Sequence, residues 1–165
     1  MAGIVLGMLV YFFYLVSRYL LFNEITSIST IQNYTKTPVI GVIPAYKKKV
    51  PVSQLLVNEK PNSMFTEAFR NVRSNLQFLS PGAGSSVITV TSTISGEGKT
   101  FVAINLAGIQ AISGKRAIIL DMDLRKPRLH LGFNVPNEKG MSTILIGKHT
   151  YKDCIYMSEQ KNLDF

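Results

Sequence analysis

The sequence predicts an α/β fold, in which helices flank a parallel β-sheet, preceded by one transmembrane helix. Three observations predict it: a long apolar segment at the amino terminus, a β-branched segment that leads into a glycine-rich loop, and a second apolar segment that ends in two aspartates. The chain has 165 residues, enough for one modest domain. Its single cysteine excludes an internal disulfide and indicates a reducing compartment.

The first element is the apolar segment over residues 1–22, in which Arg18 is the only charged side chain. About 20 apolar residues at about 1.5 Å each cross the roughly 30 Å hydrocarbon core of a bilayer. Aromatic residues crowd its second half, where an interfacial belt would lie. Most lysines follow this segment, so the positive-inside rule places the rest of the chain in the cytoplasm. We therefore expect a transmembrane helix, with a buried core helix as the alternative.

Residues 23–61 form a juxtamembrane connector in this interpretation. They are rich in Ser, Thr, Asn and Pro, and their one apolar stretch, 38–44, has prolines at both ends, which favours an edge strand or an extended segment. The run Lys47–Lys49 suits anionic lipid headgroups, and a solvated charge run is an equal alternative. No motif with aromatic residues between cations supports nucleic-acid binding.

An amphipathic helix is predicted next, starting near Ser63 and stopping at Pro81-Gly82. Its apolar residues recur at helical spacing: Phe65, Phe69, Val72, Leu76 and Leu79. Glu67, Arg70 and Arg73 project away from that stripe. They form either a solvated polar face or an ion-pair patch between subunits, because Arg binds carboxylates through two hydrogen bonds.

The β-branched segment 86–91 predicts a buried parallel strand, and an apolar helix is expected from Phe101 to about Ile112. Between them lies the loop Thr-Ile-Ser-Gly-Glu-Gly-Lys-Thr over residues 93–100. It fits the pattern G-x-x-x-x-G-K-[ST] except at Thr93, which stands in the place of the first glycine. This strand–loop–helix arrangement predicts a nucleotide site.

The chemistry of that loop is the binding of phosphate. Gly96 and Gly98 allow the backbone to curl so that successive N–H groups converge on phosphate oxygens. The helix amino terminus adds its partial positive charge. Lys99 would reach the outer phosphates, and the hydroxyl of Thr100 would bind Mg²⁺.

A second strand is predicted over 117–120, and Asp121 and Asp123 follow it. A right-handed crossover joins the two predicted strands, so both end at the same edge of the sheet. Both carboxylates would then face the phosphates, where they could hold Mg²⁺ or accept a proton from an attacking hydroxyl. In the alternative, Asp121 caps the turn and Asp123 faces solvent.

Together these motifs resemble those of a bacterial protein-tyrosine kinase (BY-kinase) of the capsular and exopolysaccharide copolymerase family. Residues 93–100 resemble its Walker A loop, 118–125 its Walker A′ motif, and 67–73 its E-x-x-R-x-x-R oligomerisation motif. The resemblance implies a P-loop NTPase-type sheet over residues 62–165. It also favours the intersubunit role for the charged helix face.

The activity that the resemblance implies is that of a membrane-anchored, ATP-dependent tyrosine autokinase. Such kinases regulate the chain length and export of capsular polysaccharide or exopolysaccharide. Lys99, Asp121 and Asp123 would be the catalytic residues, with Asp121 as the base, and Thr100 and Asp123 would hold Mg²⁺. The residues implied to bind ATP are Ser95, Gly96, Glu97, Gly98, Lys99 and Thr100.

The resemblance also implies partners and a location. Glu67, Arg70 and Arg73 would join subunits into a ring in which phosphorylation occurs in trans. The polysaccharide export and polymerisation machinery and a tyrosine phosphatase would be the other partners. The expected location is the bacterial inner membrane, with the kinase part in the cytoplasm.

Several parts of the family pattern are missing from the sequence: a Walker B motif, a carboxyl-terminal tyrosine cluster and an extracytoplasmic domain. Residues 163–165 resemble the start of a strand. We therefore expect a fragment with an incomplete sheet, weak nucleotide binding and little kinase activity. A non-catalytic copolymerase scaffold and a membrane-bound ATPase of the partition and division-site type stay open. The latter usually has a further lysine near the start of the loop, which Thr93–Ser95 does not supply.

Overall fold

A computed structural model describes residues 2–21, 27–46, 54–79 and 84–165 of the chain. The lysine run 47–49 and the predicted helix stop at Pro81-Gly82 lie outside the described residues. Two compact units are present, Met1–Val39 and Ile40–Phe165. Helices and strands follow in the order α1 (Ala2–Leu21), α2 (Ile28–Tyr34), α3 (Leu56–Glu59), α4 (Met64–Leu79), α5 (Lys99–Ile112), β1 (Ala117–Ile118), α6 (Leu129–Phe133), α7 (Met141–Leu145), α8 (Tyr151–Cys154) and β2 (Leu163–Asp164).

The first unit contains α1 and α2. The predicted helix near the amino terminus is present as α1, and most of its large apolar side chains are exposed. Among the residues that the structure describes, however, no helix is both long enough and apolar enough to cross a membrane. The prediction of a transmembrane helix over residues 1–22 is therefore not supported by the described structure.

The core of the second unit lies between α3, α4 and α5. Leu56 and Val57 of α3, Phe69 of α4, and Ile104 and Ile109 of α5 are fully buried. Burying each of these side chains contributes about 1.5–3 kcal/mol relative to leaving it exposed. This packing holds α5, and therefore the loop before it, in a fixed position on α4.

The helix predicted from residue 63 is confirmed as α4. Ser63 caps it, because its Oγ accepts a hydrogen bond from the N–H of Thr66 at 3.2 Å. Phe65, Phe69 and Val72 of the predicted stripe are buried. The stripe therefore faces the core, as its spacing indicated.

The sheet in the described part of the chain pairs β1 with β2 in parallel, in the register Ala117↔Leu163 and Ile118↔Asp164. The N–H of Ala117 donates to the carbonyl of Asn162, and that of Ile119 to the carbonyl of Asp164, both at 2.9 Å. The strand predicted over 117–120 is thus confirmed over Ala117–Ile118, but its parallel neighbour is β2 and not the segment 86–91. Strand β2 starts at Leu163, which agrees with the expectation that residues 163–165 begin a strand.

The segment 86–91 differs from its prediction as a buried strand. It is extended, but it is mostly exposed, and Val87 is 98% exposed. Its backbone makes no hydrogen bond with any other described residue. Since a strand exists only through a neighbour, β-branched residues alone do not make one, and that prediction is wrong for the structure as described.

Candidate functional site

The loop before α5 contains two glycines in an unusual backbone conformation. Gly96 and Gly98 both have φ of 95°, in the left-handed region that L-residues rarely adopt. Gly98 is the N-cap of α5 and offers no side-chain partner to the first turn. The N–H groups at this helix start are therefore available to an anion.

Glu97 braces the loop from within. Its Oε2 accepts a hydrogen bond from the N–H of Ile94 at 3.2 Å. This bond, with further support from the nearby positive charge of Lys99, holds the pKa of Glu97 below its usual value. Glu97 therefore shapes the loop, a role that the spacing of the motif did not reveal.

The ligand-binding side chains predicted in this loop are uncommitted. Lys99 and Thr100 lie on the first turn of α5 and are half-buried, whereas Ser95 is exposed. The amine of Lys99 and the hydroxyl of Thr100 form no hydrogen bond or ion pair with another described residue, although the charge of Lys99 acts on nearby Glu97. Both are thus free to bind a ligand at the helix start.

Asp121 and Asp123 hold the loop that follows β1. Asp121 Oδ2 accepts the N–H groups of Arg128 at 3.1 Å and Leu129 at 3.0 Å, and its Oδ1 accepts that of Asp123 at 3.1 Å. Asp123 Oδ1 accepts the N–H of Lys126 at 3.1 Å. Asp121 therefore holds the turn after β1, as the capping alternative describes, and its role as a catalytic base stays a prediction.

Each of the two carboxylates nevertheless keeps capacity. Asp121 Oδ1 accepts one hydrogen bond where two are possible, and Asp123 Oδ2 accepts none from a described residue. Helix α5 runs from the glycine loop to the start of β1 and packs against it, so β1 returns the chain toward the loop. No hydrogen bond or ion pair joins the aspartates to the glycine loop within the described ranges.

The residues present fit a magnesium-bound nucleotide. No group of three or more His, Cys, Asp or Glu suited to a metal occurs in the described part of the chain. Mg²⁺, however, is usually held by one or two carboxylates together with substrate phosphates and water. The Thr100 hydroxyl and Asp123 Oδ2 supply oxygen ligands of that kind.

The charged face of α4 shows one pair and one incomplete group. Glu67 and Arg70 form an ion pair one turn apart on the same helix. The Nε of Arg73 is buried and has no hydrogen-bond partner among the described residues. The structure thus pairs two of the three predicted oligomerisation residues within one chain, and the intersubunit role of all three stays a prediction.

Asn105 supports the site, and nothing in the motifs pointed to it. It is fully buried in α5. Its Oδ1 accepts the N–H of Val57 at 3.1 Å, and its Nδ2 donates to the carbonyls of Gln54 and Phe101, both at 2.9 Å. Asn105 therefore ties residues 54–57 to the first turns of the helix that carries Lys99.

An aromatic cluster supports the same helix from the connector. Tyr46 packs edge-on against Phe65, with ring centroids 5.9 Å apart, and lies 6.3 Å from Phe101. Lys60 Nζ donates to the Tyr46 hydroxyl at 3.0 Å. Residues 40–46 therefore belong structurally with the second unit.

Comparison with known proteins bears on this site. Residues 88–146 match the CobQ/CobB/MinD/ParA nucleotide binding domain. The chain is 38% identical over 118 residues to the putative tyrosine-protein kinase CapB of Staphylococcus aureus, which covers 72% of this chain and 52% of CapB. It is 33% identical over 108 residues to the succinoglycan biosynthesis transport protein ExoP of Rhizobium meliloti, covering 66% of this chain and 14% of ExoP.

Solved structures give the same result. The kinase domain of the Escherichia coli tyrosine kinase ETK superposes with a TM-score of 0.76 at 25% identity, covering 86% of this chain and 59% of that domain. The chain spans about half the length of CapB, so it corresponds to part of such a kinase domain. On these matches, and on the glycine loop and paired aspartates, the chain belongs to the bacterial tyrosine-protein kinase (BY-kinase) family.

Proposed function

We propose that this chain binds ATP with Mg²⁺ and serves protein-tyrosine phosphorylation. The observation that carries the proposal is the glycine loop, where Gly96 and Gly98 adopt left-handed conformations directly before Lys99 at the start of α5. The two aspartates after β1 supply the acidic groups that phosphoryl transfer uses.

Each group in the site has its own role in the proposed phosphorylation. The N–H groups from Gly96 to Lys99 bind phosphate oxygens, and the Lys99 amine balances their charge. Asp121 uses Oδ1 to accept the proton of the tyrosine hydroxyl, while its Oδ2 stays on the backbone. Thr100 and Asp123 Oδ2 would hold the Mg²⁺, which neutralises phosphate charge when it is bound.

A phosphorylation assay on the 165-residue chain tests this proposal. We expect incubation with ATP and Mg²⁺ to produce a weak anti-phosphotyrosine signal on the chain, or on an added tyrosine peptide, in keeping with the little activity expected of it, and Lys99→Met to abolish that signal. Lys115→Met is the matched control, because Lys115 is an exposed lysine before the amino end of β1. A signal that persists in Lys99→Met contradicts the assignment.

Calorimetry with Mg²⁺-ADP separates binding from transfer. Uptake of ADP that Lys99→Met removes supports the nucleotide site even where transfer is slow. Binding without transfer favours the non-catalytic scaffold, for which the commitment of Asp121 to three backbone N–H groups is the supporting observation.

We further propose that the chain works with the exopolysaccharide export machinery at the bacterial inner membrane and forms a ring. The relationship to ExoP and the exposed apolar side chains of α1 support the first part, and cell fractionation tests it. The match of residues 67–73 to the E-x-x-R-x-x-R oligomerisation motif supports the second. Arg70→Ala with Arg73→Ala should lower the mass measured by light scattering, whereas Lys115→Ala with Arg116→Ala should not; an equal mass in both contradicts the ring.

A further inference from the structure

The loop after β1 is held in shape by hydrogen bonds that its backbone N–H groups donate. Four N–H groups, those of Asp123, Lys126, Arg128 and Leu129, donate to the carboxylates of Asp121 and Asp123. The negative charges of these carboxylates are therefore directed at the backbone of the loop. Its cationic side chains receive none of this pairing.

Three cations project from this fixed loop. Arg125, Lys126 and Arg128 are exposed, and their side chains form no ion pair or hydrogen bond with any described residue. A rigid backbone lowers the ordering cost when such side chains meet an anion. The loop is thus a preformed positive surface directly after the candidate base, Asp121.

An apolar cavity opens beside the loop that carries these cations; Asp121 and Asp123 of the loop line it, and the three cations do not. It has a volume of about 420 Å³, and its lining includes Asp121, Pro127, Leu129 and Tyr151. Lys139 also lines it, which adds a fourth cation to this region. Cavities of this size and composition accept aromatic side chains.

We propose that this loop and cavity bind the protein segment to be phosphorylated, and that they select a tyrosine flanked by acidic residues. The inference rests on the proposed kinase function and names its substrate class. The tyrosine ring enters the cavity beside Asp121. Glu or Asp residues next to that tyrosine pair with Lys126 and Arg128. These pairs contribute charge complementarity and take no part in catalysis.

Peptide binding to the 165-residue chain, without nucleotide, tests the inference. The probe is a fluorescein-labelled peptide, Glu-Glu-Glu-Tyr-Glu-Glu, and its fluorescence anisotropy is followed at low and at physiological salt. Two matched peptides replace every Glu by Gln, or Tyr by Ala. We expect both to bind more weakly, the first because it lacks charge and the second because it leaves the cavity empty.

The decisive variant is Lys126→Ala with Arg128→Ala, compared with Lys115→Ala with Arg116→Ala. Both pairs remove one exposed lysine and one exposed arginine, but the second pair lies before the other end of β1. Losing two exposed ion pairs at low salt should lower the affinity of Lys126→Ala with Arg128→Ala for the peptide by about tenfold. The control should lose less than about twofold, and the difference should shrink as salt rises.

Each result of these binding experiments either supports the inference or overturns it. Equal loss in both pairs overturns the inference, because net charge alone would then govern binding. No loss in either pair also overturns it, because Lys126 and Arg128 would then contribute nothing to binding. It is also overturned if Lys126→Ala with Arg128→Ala weakens Mg²⁺-ADP binding or attachment to phosphatidylglycerol vesicles while peptide binding is unchanged. Peptide binding that survives in a chain unable to bind ADP leaves the inference standing and removes the proposed kinase function instead.

Discussion

Replacing Asn105 is expected to loosen the helix that carries the glycine loop. In Asn105→Ala the buried N–H of Val57 loses the acceptor that it has in the described structure, and the carbonyls of Gln54 and Phe101 lose one donor each. The unsatisfied N–H costs about 1–3 kcal/mol, and each lost hydrogen bond costs about 0.5–1 kcal/mol. The free energy of unfolding should therefore fall by about 2–5 kcal/mol.

Asn105→Asp makes the test specific to hydrogen bonding. The aspartate keeps the acceptor for Val57 but turns a negative oxygen toward two carbonyls, so burial raises the pKa of the new carboxyl. The folded state then binds a proton that the unfolded state releases. The stability of Asn105→Asp should consequently rise as pH falls from 7 toward 4, whereas that of Asn105→Ala should not.

Urea unfolding followed by near-ultraviolet circular dichroism measures these changes, since Tyr46, Phe65 and Phe101 pack beside this site. Asn137→Ala is the control, because Asn137 is exposed and its side chain bonds no described residue. The reasoning is refuted if Asn105→Ala loses no more stability than Asn137→Ala, or if Asn105→Asp shows no rise at low pH.

Three further predictions concern backbone conformation, a helix cap and close packing. Gly98→Ala forces an L-residue to φ of 95°, so unfolding measurements should show a loss of about 1–2 kcal/mol, with weaker Mg²⁺-ADP binding. Hydrogen bonds from Thr150 lower the pKa of Asp153. The contribution of Asp153 to stability is therefore present above the ordinary range of aspartate pKa values and disappears as pH falls. Between pH 6 and 3, the melting temperature of Asp153→Asn should consequently decline less than that of the unchanged chain. In Gly132→Ala the new Cβ would lie 2.5 Å from Ile104 Cδ1, and this overpacking should cost about 1–3 kcal/mol in urea unfolding, an effect absent from Gly140→Ala.

The elements that depend on local sequence could be predicted well. Helix α4 follows from its apolar spacing and Ser63, and α5 follows from Gly98 and the apolar run that ends near Gly114. Both patterns act within one or two helical turns. The glycine conformations at 96 and 98 belong to the same class, because the local backbone alone demands them.

The features that depend on distant partners could not be predicted. Segment 86–91 has strand composition, yet whether it joins a sheet depends on a neighbour elsewhere in the chain. Two hydrogen bonds of Asn105 span about 50 positions of sequence, and those that Asp121 accepts from the N–H groups of Arg128 and Leu129 close a loop that no spacing rule encodes. The motif therefore identifies Asp121 from the sequence alone, whereas the hydrogen bonds by which Asp121 holds the loop are visible only in the folded structure.

The bare backbone of residues 86–91 has a consequence for how this protein behaves at high concentration. An extended segment with exposed Val87 and Ile88, and with neither proline nor charge, is a template for edge-to-edge aggregation between molecules. Thioflavin fluorescence should accordingly grow with protein concentration. A lysine in the middle of the segment, Thr89→Lys, should suppress that growth, as gatekeeper charges do in natural edge strands.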